Sequence, residues 1–197
     1  MEQLICIFGA SSTQGFYDVE KGGWADRLKI YAYERSLSTD DYFEVFNLGV
    51  SGNTSRDLLK RFYNEAKARN PTVIIISLGD NDSGLKVPLD EYEMNMDKIF
   101  IQAKEITQNI IVLGTKKVNE KFTKPVPWNK EVYYINEEIK KYDNRLKKLA
   151  EKHKIKYVPF FDELNEKDLE DGIHPNSKGH KKIFERVKDI LIKEKLM

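Results

Sequence analysis

The stretch "TVIIISLG", residues 72 to 79, constrains the fold more than any other part of the chain. Four consecutive β-branched residues, Val73 to Ile76, follow Thr72. Side chains branched at Cβ are stiff at χ1 and favour extended backbone. No position in the run is polar enough to face water, so such a strand needs cover on both faces, as in a parallel sheet. Four further apolar runs share this character: "LICIF" (4–8), "FEVFNLG" (43–49), "NIIVLGT" (109–115) and "KYVPFF" (156–161). Pro159 cannot donate to a ladder and assigns the last run to a sheet edge.

Helical stripes separate the runs. Trp24, Leu28, Tyr31 and Ala32 share one face, as do Leu58, Leu59, Phe62 and Ala66. Tyr92, Met96, Ile99, Ala103 and Ile106 repeat every three to four residues. So do Ile135, Ile139, Tyr142, Leu146 and Leu149, and again Ile183, Phe184, Val187 and Leu191. These stripes read as core. Thr54 with Asp57, and Asp90 with Glu93, have the spacing of capping boxes at helix starts. Alternating strands and helices predict a three-layer α/β fold around a parallel sheet with right-handed crossovers. Neither an internal repeat nor a linker interrupts the pattern, so one domain over 1–197 is expected. The longest irregular piece is "KKVNEKFTKPVPWNK" (116–130). There a packed Trp128 and solvated lysines are expected.

Charge narrows the partners. With 33 basic and 32 acidic residues the formal net charge is +1, which gives no support for general nucleic-acid binding. Lys178, Lys181, Lys182, Arg186 and Lys188 in the last helix read as a solvated face. The single cysteine, Cys6, rules out an intramolecular disulfide and a cysteine-based metal site, and reads as a small core residue. "MEQLICIFGAS" lacks a basic segment and a long apolar run, and no stretch approaches the roughly 18 apolar residues of a membrane span. The expectation is a cytoplasmic protein that does not bind a membrane.

In open α/β sheets ligands bind beyond the carboxyl ends of the strands. Four unusual loops fall there: "GASSTQG" after the first run, "GVSGNTS" (49–55) after the second, "GDNDS" (79–83) after the third, and "DGIHPN" (171–176) after the fifth. Ser11 or Ser12 could be a nucleophile if a base takes its proton. Of the three histidines, His153 in "EKHKIK" and His180 in "KGHKK" read as ordinary exposed or helix-surface residues. His174 alone lies in a strand-to-helix loop on this rim. Asp171, three residues earlier across Gly172, could accept its Nδ1–H and fix the tautomer. Oxyanion donors are available in the backbone N–H of Ser11, the N–H of Gly52, which without a side chain can approach a substrate closely, and the Asn81 amide.

With these residues in place the chain resembles the SGNH hydrolases, the GDSL-type esterases and lipases. "FGASSTQG" is similar to the first block of that family and assigns the nucleophile to Ser11. "NLGVSGNT" is similar to the second, with Gly52; "GDND" to the third, with Asn81; and "DGIHPN" to the fifth, with Asp171 and His174. The blocks run from residue 8 to 176. The resemblance implies a flavodoxin-like five-stranded parallel sheet, serine esterase chemistry, and no metal or organic cofactor. One departure stands out: Ala10 occupies the place of the family's usual Asp. The acyl group is expected to be small or short, acetyl foremost, because no large apolar surface stretch suggests a lipid interface. Two other readings compete. The hydroxyl-rich loop could belong to a flavodoxin-like phosphate- or flavin-binding module, although no G-x-G-x-x-G or G-K-[ST] fingerprint is present. Alternatively, Ala10 could mark a catalytically weakened binder of glycans or lipids on the same fold.

Overall fold

The computed structural model describes residues 2–197. Five strands form one parallel sheet: β1 (Glu2–Gly9), β2 (Tyr42–Gly49), β3 (Val73–Ser77), β4 (Ile110–Leu113) and β5 (Lys156–Val158). Their order is β2-β1-β3-β4-β5. Every pairing is parallel; Gly9 lies level with Gly49 and with Ser77, so the first three strands end on one line. The expected α/β fold and all five strands are present, and β5 is an edge. Pro159 follows immediately after β5, and lies beyond its last paired residue.

Among the described residues seven α-helices lie between the strands and an eighth follows β5: α1 (Ser11–Gln14), α2 (Trp24–Ser38), α3 (Ser55–Arg69), α4 (Asp80–Gly84), α5 (Leu89–Lys104), α6 (Glu120–Thr123), α7 (Asn136–His153) and α8 (Ser177–Lys193). Alternation along the strands divides the core in two. Ile5, Ile7, Val73 and Ile75 face α2 and α8, where Trp24, Leu28, Val187 and Leu191 pack. Cys6, Phe8, Ile74 and Ile76 face α3, α5 and α7, where Leu58, Phe62, Met96, Ile99 and Leu146 pack. Cys6 is fully buried, and burial pushes its thiol up to about 12, so it stays protonated and inert.

The α3 capping box forms as expected: the Thr54 N–H donates to Asp57 Oδ2 at 3.0 Å. The Asp90–Glu93 box does not. Pro88 begins α5 instead, and Asp90 and Glu93 both pair with Arg145 on α7. Long-range charge has taken the carboxylates that local capping would have used. Among the described residues no helix is long and apolar enough to cross a membrane.

Candidate active site

The chain after β1 runs to α2 on one face of the sheet and the chain after the adjacent β3 runs to α5 on the other, so a crevice opens between their carboxyl ends. Ser11 is placed there. Ala10 is still extended, at φ −107° and ψ −150°, and Ser11 begins α1. The amides of Thr13 and Gln14 bond the Ala10 carbonyl at 3.0 and 2.9 Å and close this short helical turn.

His174 arrives from the loop before α8. Its Nε2 lies 2.9 Å from Ser11 Oγ, across 163 residues of sequence. Its Nδ1 lies 2.7 Å from Asp171 Oδ2. An ionised carboxylate only accepts, so Nδ1 carries the proton and Nε2 is the acceptor for the Ser11 hydroxyl. Asp171 Oδ1 accepts the backbone N–H groups of Ile173 and His174 at 3.0 and 2.8 Å. Burial pushes the Asp171 carboxyl up, but the His174 ring and these two amides outweigh it and hold it below its usual value.

The donor candidates come from two more strand ends. Gly52 has φ +79° in the turn after β2, and Ser51 is held by its N–H donating to Gln14 Oε1 at 2.7 Å. A Cβ at Gly52 would meet nothing within 4 Å. The left-handed torsion by itself favours glycine there. Asn81 lies in α4, with its Nδ2 donating to the Asn53 carbonyl at 3.0 Å and its Oδ1 accepting from the Tyr134 hydroxyl at 2.9 Å. Among the described residues the backbone N–H groups of Ser11 and Gly52 donate to no protein acceptor. Ser11, Gly52, Asn81, Asp171 and His174 thus line one cleft of about 400 Å³, together with Phe16, Tyr17, Ser51, Trp128 and Tyr134.

Several expectations need correction. His180 is fully buried, not on the helix surface: its Nδ1 accepts the Trp24 N–H at 3.2 Å and its Nε2 bonds the Phe16 carbonyl at 3.0 Å. It ties α8 to the loop carrying Phe16 and Tyr17. His153 is mostly covered as well, bonded to Asp97 and set against Phe100. Trp128 is 57% exposed instead of packed, its ring 6.3 Å from that of His174. Phe16 and Tyr17 lie at 5.1 and 5.6 Å from the same ring, which makes an aromatic rim. Lys116 is buried and pairs with Asp80 at the start of α4, so it is not a solvated lysine. Lys188 is held by Glu185. Tyr134 was not among the candidates, because it lies in irregular chain where no periodicity marks it.

Ala10 lines a small closed cavity of about 40 Å³ that Asp80 and Lys116 also border. The phosphate-cradle reading fits poorly: α1 has four residues, and its first hydroxyl is engaged by His174. Among the described residues no group of three or more His, Cys, Asp or Glu side chains could hold a metal ion.

A fold with its reactive groups at the strand ends, and a serine within reach of a histidine–aspartate pair, has the layout of an acyl hydrolase. The model of the GDSL-like lipase/acylhydrolase family matches residues 7–182. The GDSL esterase/lipase WDL1 of Oryza sativa subsp. japonica is 26% identical over 209 residues, covering 95% of this chain and 77% of that protein. An arylesterase of Vibrio mimicus is 27% identical over 195 residues, covering 97% and 89%. The crystal structure of an acetylxylan esterase from Geobacillus stearothermophilus superposes with a TM-score of 0.71 at 22% identity, over 93% of this chain and 91% of that one. The chain belongs to the GDSL-like lipase/acylhydrolase family and is by class a carboxylic ester hydrolase.

Proposed function

We propose that the chain is a serine esterase for small or short-acyl esters, acetyl esters foremost, with Ser11, His174 and Asp171 as its triad. The observation that carries this reading is the continuous run of short contacts from Ser11 Oγ through His174 to Asp171 at the wall of one cleft. Ser11 Oγ attacks the acyl carbon while His174 Nε2 takes its proton. The carbonyl oxygen becomes an oxyanion held by the N–H groups of Ser11 and Gly52 and by Asn81 Nδ2. Collapse returns the proton from His174 to the leaving alkoxide. Water, deprotonated by His174, then cleaves the acyl-enzyme, releases the acid and restores Ser11. Asp171 keeps Nδ1 protonated and stabilises the imidazolium.

Two features support a small substrate. The cleft lies towards the lower end of the ~300–1,000 Å³ range of ligand pockets. Ser51, Gly52 and Asn81 put polar groups on its lining beside Ser11, which favours a short acyl group over a long chain. The partly exposed rings of Phe16, Tyr17 and Trp128 line the cleft around His174 and suit an aryl or sugar-ring alcohol. The acetylxylan and aryl esters named for the similar proteins fall within this chemistry.

A fluorophosphonate probe and a panel of p-nitrophenyl esters graded by chain length test the proposal together. The wild type is expected to be labelled and to prefer acetate and butyrate over octanoate. Ser11→Ala is expected to lose the label and about 10⁴-fold or more in kcat. Labelling that survives Ser11→Ala removes Ser11 from the nucleophile role.

A further inference from the structure

We infer that Tyr134 is a positioning residue: with the Asn53 carbonyl orienting the Asn81 amide, its hydroxyl anchors the amide oxygen and holds the nitrogen turned to the reacting carbonyl oxygen. The inference rests on the reading of Asn81 as an oxyanion donor.

Hydrogen-bond accounting carries the argument. A side-chain amide has one acceptor oxygen and two N–H donors, and in an open site it can flip to present either end. Asn81 is nearly buried and has two neighbours of opposite character. The Tyr134 hydroxyl, which can donate or accept, donates to Oδ1 at 2.9 Å. The Asn53 carbonyl can only accept, and takes one N–H from Nδ2 at 3.0 Å. A flipped amide would set its oxygen against the Asn53 carbonyl, so that carbonyl selects which way round the amide sits. In the selected state the Tyr134 hydroxyl donates to Oδ1 and anchors it. The second N–H is left without a protein acceptor among the described residues, on a side chain that lines the cleft beside Ser11 and Gly52. Accepting a hydrogen bond on the oxygen also polarises the amide and strengthens its remaining N–H as a donor.

Tyr134 is itself held at both ends. Its N–H donates to the Thr123 carbonyl at 3.0 Å, and its carbonyl accepts the Thr123 hydroxyl at 2.8 Å. Its ring lies flush on α4 at Gly84, where an added Cβ would come within 2.5 Å of the ring. The hydroxyl then reaches Asn81 three residues earlier in the same short helix. Burial first, then the Asp80 and Asp171 charges, push the phenol up to about 12, so it remains a donor across the range in which an esterase works.

A double-mutant cycle tests this, with kcat, KM and thermal midpoint measured on p-nitrophenyl acetate for the wild type, Tyr134→Phe, Asn81→Ala and the double variant. Tyr134→Phe is expected to lower kcat roughly 5- to 20-fold with KM within about twofold. Asn81→Ala is expected to lower it about 10²- to 10³-fold. With Asn81 gone, Tyr134→Phe should cost nothing further. Gly84→Ala, which displaces the ring while keeping the hydroxyl, should show the same kcat loss and serves if Tyr134→Phe does not fold. Wild-type kcat in folded Tyr134→Phe, or losses that multiply in the double variant, overturns the inference alone. Wild-type activity in Asn81→Ala overturns the oxyanion reading and the inference with it.

Discussion

At Gly52 the constraint is one torsion angle, φ +79°, with open space where a side chain would go. Non-glycine residues pay about 1–2 kcal/mol for left-handed backbone, and Asn pays least. Gly52→Asn is therefore expected to keep more of kcat than Gly52→Val; equal losses in steady-state kinetics would show that something other than the torsion matters. Asp171→Asn is the sharper probe of the triad. Its amide can donate to Nδ1 and favour the wrong tautomer, so kcat should fall about 10⁴-fold on the proposed mechanism. Thermal melting beside the kinetics separates this from unfolding: a large fall in midpoint would make Asp171 a structural residue first. Asp171 and His174 were legible in the sequence because they are close neighbours in one loop. His180 was not. Lysines flank it in "KGHKK", yet its ring turns inward to bond Phe16 and Trp24 from distant parts of the chain.

The strands declared themselves through near-continuous apolar runs, the helices through a period of three to four residues. Cover on both faces of β3 left four β-branched residues in a row, which is why that strand was the plainest. What period cannot show is how irregular chain folds back. Residues 116–135 bring Lys116, Trp128 and Tyr134 to the rim from a stretch without repeating pattern, through ties such as Asn119 N–H to the Gly172 carbonyl at 2.8 Å. The start of α5 was misread for a related reason, since Asp90 and Glu93 answer to Arg145 on another helix. The rim makes its own prediction. Trp128→Ala is expected to raise KM for an aryl acetate several-fold and leave kcat for a small alkyl acetate near the wild type. An unchanged KM across both substrates would remove Trp128 from the alcohol side of the cleft.

Across the molecule, two buried groups link stability to pH with opposite sign. Asp82 in α4 is fully buried and accepts the Ser55 N–H at 2.9 and 3.1 Å. Burial, only partly offset by Ser55, pushes its carboxyl from 3.8 up to about 6. Between roughly pH 4 and 6 the folded chain then holds a proton that the unfolded chain has lost, so stability falls as pH rises, by the order of 3 kcal/mol over that window. Asp82→Asn keeps an acceptor for Ser55 and should abolish this slope in thermal midpoint; a variant that tracks the wild type across the window would acquit Asp82. His180 works the other way. Burial depresses its ring below the ordinary histidine value, so its contribution is present near neutrality and is lost as pH falls through that depressed value. The placement of the reactive groups has a different consequence. Ser11, Gly52 and Asn81 follow the first three strands in the chain, whereas Asp171 and His174 follow the last. A cut within residues 116–130 would leave Ser11, Gly52 and Asn81 on one piece and Asp171 and His174, their partners in the proposed mechanism, on the other. Neither piece alone holds the Ser11–His174 contact. Release of p-nitrophenol by a mixture of the two would then measure their reunion, so the chain could be divided into a colorimetric complementation reporter.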